Sequence, residues 1–310
     1  MSNKGLPCVE GLLFFMKNRH AHKFAIIGTG MVGTAIGYLL KKSGYTIASL
    51  YDQSPAALKR ALPYTGGKIA LSPREVLRHA DYILITTPDD TIASACSEIA
   101  LEPEIKKKFV LHMSGAGGLD LLEPARQAGA SVASIHPLQS FSSIEQAIRN
   151  IPGSYFGITA DKKALSRARK IVRNLKGIPI VISPDQKPLY HAAACFASNY
   201  LVTLMNIVES ISKSIGISDK DARQAYLPLV YGSLKNIEKS GSILSLTGPI
   251  ARGDAGTVRK HIQSLHQSLP EYASVYSELG FLAAKIAQQK GTLNAGQTKK
   301  MKALLKGVKS

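Results

Sequence analysis

Phe24-Ala25-Ile26-Ile27-Gly28-Thr29-Gly30-Met31-Val32-Gly33 decides the fold. A short apolar run ends in G-x-G-x-x-G and passes directly into the helical pattern Val32–Ser43. Each glycine has a physical task in such a turn. Gly28 allows the sharp reversal, Gly30 lets a pyrophosphate approach the backbone, and Gly33 lets the helix pack against the strand. The free N–H groups of the helix N-terminus then face the phosphates. Alone, the motif is weak. Here a second strand, Thr46–Tyr51, follows the helix and ends at Asp52, 24 positions beyond Gly28. The stretch from about Phe24 to Asp52 therefore predicts a dinucleotide-binding βαβ unit, with Gly28, Thr29, Gly30, Met31, Val32 and Gly33 at the cofactor. Asp52 suits both adenosine ribose hydroxyls and repels a 2′-phosphate, which favours NAD over NADP. Lys59 and Arg60 follow on the next helix, solvated or facing a phosphate.

Outward from this unit, strand-like runs alternate with helical ones, the pattern of a parallel sheet with crossover helices. The strands expected are Phe24–Gly28, Thr46–Tyr51, Lys68–Leu71, Tyr82–Thr86, Phe109–Met113, Val132–Ile135, Tyr155–Ile158 and Ile178–Ile182. From Gln186 the pattern is helical throughout. It begins with one long run, Gln186–Ile215, followed by Asp219–Ser240, Thr257–Leu269 and Ser274–Gln289; Pro228 predicts a kink or break within the second. The fold class expected is α/β, a doubly wound parallel sheet followed by an all-α domain. Pro184 and Pro188 punctuate the junction, which places the domains at 23–183 and 184–292. Residues 1–22 read as an extension before the fold or an early start codon.

Bulk properties narrow the class of function. A chain of 310 residues with 45% hydrophobic and 19% charged residues suits two soluble domains, and no run approaches the ~18 apolar residues of a membrane span. Cys8, Cys96 and Cys195 are scattered, without disulfide or metal-ligand spacing, which points to a reducing cytoplasm and to no metal. The net charge of +18 raises nucleic acid, but the basic residues are spread along the chain and no aromatic–basic motif accompanies them. Their densest cluster, Lys299 to Lys309, reads as a solvated or frayed tail. An anionic small substrate or a phosphate-bearing cofactor fits the charge as well.

Three loops are expected at the carboxyl edge of the sheet, where ligands bind in such folds. Thr87-Pro88-Asp89-Asp90 follows the fourth strand, the two acids serving as helix caps. Ser114-Gly115 follows the fifth, where Ser114 can hydrogen-bond a substrate oxygen. His136-Pro137 follows the sixth, with His136 a candidate general acid/base or a strand cap bonded to a backbone carbonyl. Beyond the junction, Lys187, His191, Cys195 or Ser198, and Asn199 fall roughly on one helical stripe. They are either catalytic or a hydrogen-bonded helix–helix contact. Arg252, in Thr247-Gly248-Pro249-Ile250-Ala251-Arg252-Gly253-Asp254, offers a planar fork to a carboxylate or pairs locally with Asp254.

These motifs together resemble a bacterial family that joins a Rossmann-like NAD(P)-binding domain to a helical C-terminal domain of unknown function, over about Lys23–Gln289. More distantly, the chain is similar to the superfamily of pyrroline-5-carboxylate reductase, deazaflavin-dependent NADP reductase, prephenate dehydrogenase and the β-hydroxyacid dehydrogenases. That resemblance implies substrate contact at His136, a catalytic role for Lys187 and Asn199, though their spacing is longer than in the β-hydroxyacid dehydrogenases, and a homodimer through the helical domain. The function expected is an NAD- or NADP-dependent oxidoreductase of a small, carboxylate-bearing substrate. A non-catalytic dinucleotide sensor is the alternative.

Overall fold

The computed structural model describes residues 22–307; the extension expected over 1–22 lies outside them except for His22. Eight strands form one sheet: β1 (Lys23–Ile27), β2 (Thr46–Tyr51), β3 (Lys68–Ile69), β4 (Tyr82–Ile85), β5 (Phe109–His112), β6 (Ser131–Pro137), β7 (Tyr155–Ala160) and β8 (Ile178–Val181). Their order is β3-β2-β1-β4-β5-β6-β7-β8, parallel throughout except for the antiparallel pair β6–β7. The chain starts in the middle and winds outward both ways, so a crevice opens where β1 and β4 part at their carboxyl ends.

The period-2 alternation of the central strands builds two cores at once. Phe24, Ile26, Tyr82, Leu84, Phe109 and Leu111 face one side. Ala25, Ile27, Ile83, Ile85 and Val110 face the other. Helix α1 (Met31–Lys42), α2 (Pro55–Thr65), α5 (Ile144–Asn150) and α6 (Lys162–Asn174) cover the first face. Helix α3 (Asp89–Ala100), α4 (Glu123–Gln127) and short 3-10 turns cover the second. Burial on both faces is why these strands are uninterrupted apolar runs.

The chain divides into two compact units between Ser198 and Asn199. The sheet ends near the expected boundary of 183, but the first unit continues through α7 (Lys187–Ala197). Three side chains of α7 contact the first unit: Lys187 is buried and bonded to groups after β5 and on β6, Tyr190 meets His136, and His191 lies against Gly115. The long helix expected over 186–215 is accordingly two, α7 and α8 (Asn199–Ser214), with Ser198 between them at φ −123°, ψ −67°. The stripe expected from Lys187 to Asn199 stops at Cys195, and Asn199 begins the second unit.

In that unit follow α9 (Asp219–Ser245), α10 (Pro249–Arg252), α11 (Ala255–Ser268), α12 (Ala273–Lys290) and α13 (Ala295–Lys306). The break in α9 lies at Gly241 (φ 74°, ψ 165°) rather than at Pro228. An exposed helix tolerates the single donor lost at proline, while glycine alone enters positive φ without a Cβ clash. Through Lys306 the tail forms α13 rather than fraying, with Lys299 and Lys300 exposed as expected, while Lys309 lies outside the described residues. Asn294 caps α13 through the N–H of Gln297, and Met301 and Leu305 pack with Val258, Ile262 and Ala284. Its Lys302 and Lys306, with Lys285 of α12, rest their ammonium groups on the Phe281 ring.

Pro184–Ser214 holds no 18 consecutive apolar residues, in keeping with the expectation, yet it is apolar on average. An 18-residue window within it reaches a mean hydropathy of 1.2, enough by length and composition for a span, and none of that window is buried in the protein. The run is nevertheless divided between α7 and α8.

Candidate functional site

The glycine turn is built as its spacing demands. Gly28 sits at φ 92°, and a Cβ there would fall 2.6 Å from the Thr87 nitrogen and 2.8 Å from the Thr86 carbonyl oxygen. A Cβ on Gly33 would collide with the Gly28 carbonyl, whereas one on Gly30 would meet nothing. Gly30 is the N-cap of α1 and no side chain caps the helix, so the first-turn N–H groups are left to an incoming anion. Met31 is half exposed at the start of α1, with Val32 partly buried behind it.

Asp52 closes this turn from the end of β2. Its carboxylate accepts from the Thr29 N–H (2.6 Å), the Thr29 hydroxyl (3.0 Å) and the Ser54 N–H (2.8 Å). A cavity of 520 Å³ lies beside it, lined by Gly28, Gly30, Asp52, Arg60, Thr87 and Pro88 among others. The Thr87 hydroxyl is buried without a hydrogen-bond partner. Open space at Gly30, free helix N–H groups and this orphaned hydroxyl fit a dinucleotide, whose phosphates and hydroxyls would satisfy them.

A second cluster occupies the ends of β5 and β6 and the first turns of α7. His112 accepts the Ser114 N–H at Nδ1 (3.1 Å), so its Nε2–H donates to the Gly118 carbonyl (3.0 Å). Burial pushes its pKa down to about 4, and the ring is neutral. The Ser114 hydroxyl, expected to meet substrate, donates to Asp89 (2.6 Å) and accepts the Gly117 N–H (2.7 Å). Asp89, read from sequence as a helix cap, thus reaches across to the loop after β5, while Pro88 holds the N-cap position of α3. Nothing in the sequence distinguished that role from capping.

Lys187 is 2% exposed, and its ammonium donates to the Ser114 carbonyl (2.7 Å) and the Ser134 hydroxyl (2.8 Å). Burial lowers its pKa to about 8, against the raising influence of Asp89. Its donors tie α7 to the loop after β5 and to β6, not to another helix as the alternative for the stripe expected.

His136 lies within β6 rather than after it, paired with Gly157 of β7. It does not cap a backbone carbonyl. Its Nδ1 is 3.0 Å from the Tyr190 hydroxyl, a neighbour that sequence reasoning left without a role. Burial first, then the neighbouring Lys187 and His191, push its pKa down to about 4. His191 lies edge-on to His136 with ring centroids 5.8 Å apart, and its Nδ1 is 4.0 Å from the Cys195 sulfur. Gly115 stands between the rings: a Cβ there would lie 2.8 Å from His136 Nε2 and 2.9 Å from His191 Nε2. Ser114, Gly115, His136, Lys187 and His191 are thus brought together. Asn199 and Arg252 belong to the second unit, where Arg252 ends α10 and its charge helps hold the Asp254 carboxyl below its usual range, after the hydrogen bonds from Thr257.

Comparison with known proteins divides the chain earlier, between β6 and β7. A Rossmann-like domain model matches residues 16–137, and a domain of unknown function, DUF2520, matches 154–282. The chain therefore joins a Rossmann-like domain to a DUF2520 domain; the second match starts at β7, where strand direction reverses, and ends before α13. The NADP(+) ketol-acid reductoisomerase of Xylella fastidiosa is 31% identical over 108 residues, 34% of this chain and 30% of that enzyme. The chain thus spans less than a third of that relative's length. Among solved structures, a Thermotoga maritima protein is 26% identical with a TM-score of 0.69, over 86% of this chain and 99% of that one. The Plasmodium falciparum pyrroline carboxylate reductase, solved with NADP bound, is 17% identical with a TM-score of 0.58, over 92% and 99%.

Proposed function

We propose that this protein is an NAD(P)-dependent oxidoreductase, a dehydrogenase or reductase of a small substrate. The observation that carries this is the 520 Å³ cavity at the glycine turn, into which the orphaned Thr87 hydroxyl and the uncapped start of α1 are built. When bound, the dinucleotide supplies or accepts the hydride. The chain's own groups, His136 and His191 about Gly115, handle the proton. Titrating the protein with NADH and NADPH by calorimetry or fluorescence tests this; absence of binding to both ends it.

Asp52 favours NAD, since its carboxylate, held by three protein donors, still repels a 2′-phosphate. A carboxylate on the substrate is our reading of Arg252. The self-satisfied bonding of Ser114 and Lys187 supports the second reading, a dinucleotide sensor without turnover. Single-turnover assays across a substrate panel separate the two.

The homodimer expected from resemblance gains support from exposed apolar side chains on α7, α8 and α9, among them Leu189, Phe196, Val202, Leu229 and Leu244. Patches of this kind are covered in most soluble proteins. Light scattering coupled to size exclusion reads the stoichiometry, and a monomer at micromolar concentration contradicts it. The free thiols Cys96 and Cys195 suit a reducing cytoplasm, our proposed location.

A further inference from the structure

The bonds around His136 have a direction. The Tyr190 hydroxyl lies 3.0 Å from His136 Nδ1 and 3.4 Å from the His136 carbonyl oxygen. The backbone of Gly157, opposite His136 across the β6–β7 pair, hydrogen-bonds the same phenol. A Cβ on Gly157 would fall 2.6 Å from the phenol carbon and oxygen, so glycine is what admits Tyr190 to this position. A phenol has one hydrogen to give, and the nearer acceptor is Nδ1. The imidazole is neutral, so its single proton then sits on Nε2, the atom on the Gly115 side that faces the same point as His191.

Among the described residues no carboxylate bonds either imidazole, and the Lys187 ammonium lies one layer behind, on the Ser114 carbonyl. Asp89, the acid nearest the cluster, is taken up by the Ser114 hydroxyl. A group that reaches His136 Nε2 therefore meets a donor. A carbonyl oxygen is an acceptor and suits it. An imine takes hydride as its iminium form, which presents N–H where a carbonyl presents a lone pair, donor against donor, and needs no further proton during reduction.

We propose that Tyr190 and His136 form a proton relay toward Gly115 and that the site accordingly reduces a carbonyl compound, or oxidises the matching alcohol, rather than an imine. The proposal rests on the oxidoreductase reading above. In the reducing direction the carbonyl carbon gains a hydride from the reduced dinucleotide, which is oxidised. The C=O π bond breaks, its electron pair moves to oxygen, and that oxygen takes the Nε2 proton. His136 Nδ1 takes the Tyr190 proton, and the phenolate, beside the Gly157 backbone, is reprotonated by water. The sum consumes one reduced dinucleotide and one proton per carbonyl. Tyr190 is a positioning and relay residue; His136 is the catalytic one.

Nitrogen-15 NMR of the full chain labelled at histidine reads the relay without turnover. His136, identified by loss of its signals in His136→Gln, is expected to carry its proton on Nε2 at neutral pH. Tyr190→Phe should shift the Nδ1 resonance and leave NADH affinity unchanged. A proton on Nδ1 in the wild type overturns the relay. Oxidation of NADH is then followed with 2-oxo acids and aldehydes against cyclic imines such as 1-pyrrolines. Turnover of carbonyls, reduced at least tenfold in Tyr190→Phe, is the expected result. Turnover of imines alone, or of neither panel, overturns the substrate class. Failure to bind either dinucleotide is a different outcome, read in the binding titration, and removes the oxidoreductase reading beneath.

Discussion

The ammonium of Lys187 donates to the carbonyl oxygen of Ser114 at 2.7 Å, joining the start of α7 to the loop after β5. The same nitrogen holds the Ser134 hydroxyl on β6, and the side chain is almost wholly enclosed. A buried cation bonded to neutral oxygens costs desolvation, and removing it leaves the Ser114 carbonyl only the longer bond from the Ser134 hydroxyl (3.3 Å). Lys187→Ala is expected to lower stability by about 2–4 kcal/mol in urea unfolding. Lys187→Met, which restores volume but no donor, should lose less. A change below the error of measurement in Lys187→Ala means the bonds are not made in solution.

Gly115→Ala tests the crowding of the two histidines. The added methyl meets His191 and His136 Nε2, and the rings must turn aside. We expect turnover to fall at least a hundredfold while NADH affinity changes less than threefold, roughly the split expected when only the reacting geometry is displaced. Equal losses in affinity and turnover would place Gly115 in the cofactor site instead.

Cofactor choice can be tested in the same cavity. Asp52→Ser removes the charge beside the ribose site but keeps an acceptor, and should weaken NADH by about tenfold, ~1.4 kcal/mol, while NADPH is unharmed or gains. Arg60, which lines the cavity, gives the converse. Arg60→Ala should leave NADH binding intact, and a selective loss of NADPH would show that it serves a 2′-phosphate.

Stability should depend on pH through His112. Its pKa is about 4 in the folded chain against the ordinary 6.5, because burial disfavours the cation. Below pH 6.5 the unfolded chain binds a proton that the folded one refuses, so stability is full above that value and falls as pH drops toward 4. The loss for this fully buried ring is on the order of 3 kcal/mol. His136, shifted the same way by burial, Lys187 and His191, adds to it. Unfolding curves at pH 7 and 5 compare wild type with His112→Asn, in which the slope should flatten. An unchanged slope would assign the pH dependence to other groups.

Much of the fold was legible because its signals are local. G-x-G-x-x-G between a strand and a helix, with an acid ending the next strand, required only chain geometry, and Gly28 and Gly33 are crowded as that geometry demands. The central strands β1, β4, β5 and β6 were legible because apolar runs between turns are buried on both faces. Boundaries set by distant contacts were not. Nothing near Ser198 announces that α7 belongs with the sheet, because its partners are distant in the chain: Lys187 bonds residues 73 and 53 positions earlier, and Tyr190 one 54 positions earlier. The order of the tail was missed for the same cause, since Met301 and Leu305 find Val258 and Ala284 only in three dimensions.

The sequence alone determined that a Rossmann-like glycine turn opens the sheet, and it nominated Ser114, Gly115, His136, Lys187, His191, Asn199 and Arg252. Only the tertiary structure decided what each does. Ser114 and Lys187 bond within the protein, Asp89 leaves its own helix for the loop after β5, and Tyr190 turns to His136 through the gap that Gly157 leaves. A glycine motif encodes a backbone path, which the chain specifies locally. The proton on an imidazole is fixed by partners from other strands and helices, which only folding brings within hydrogen-bonding distance.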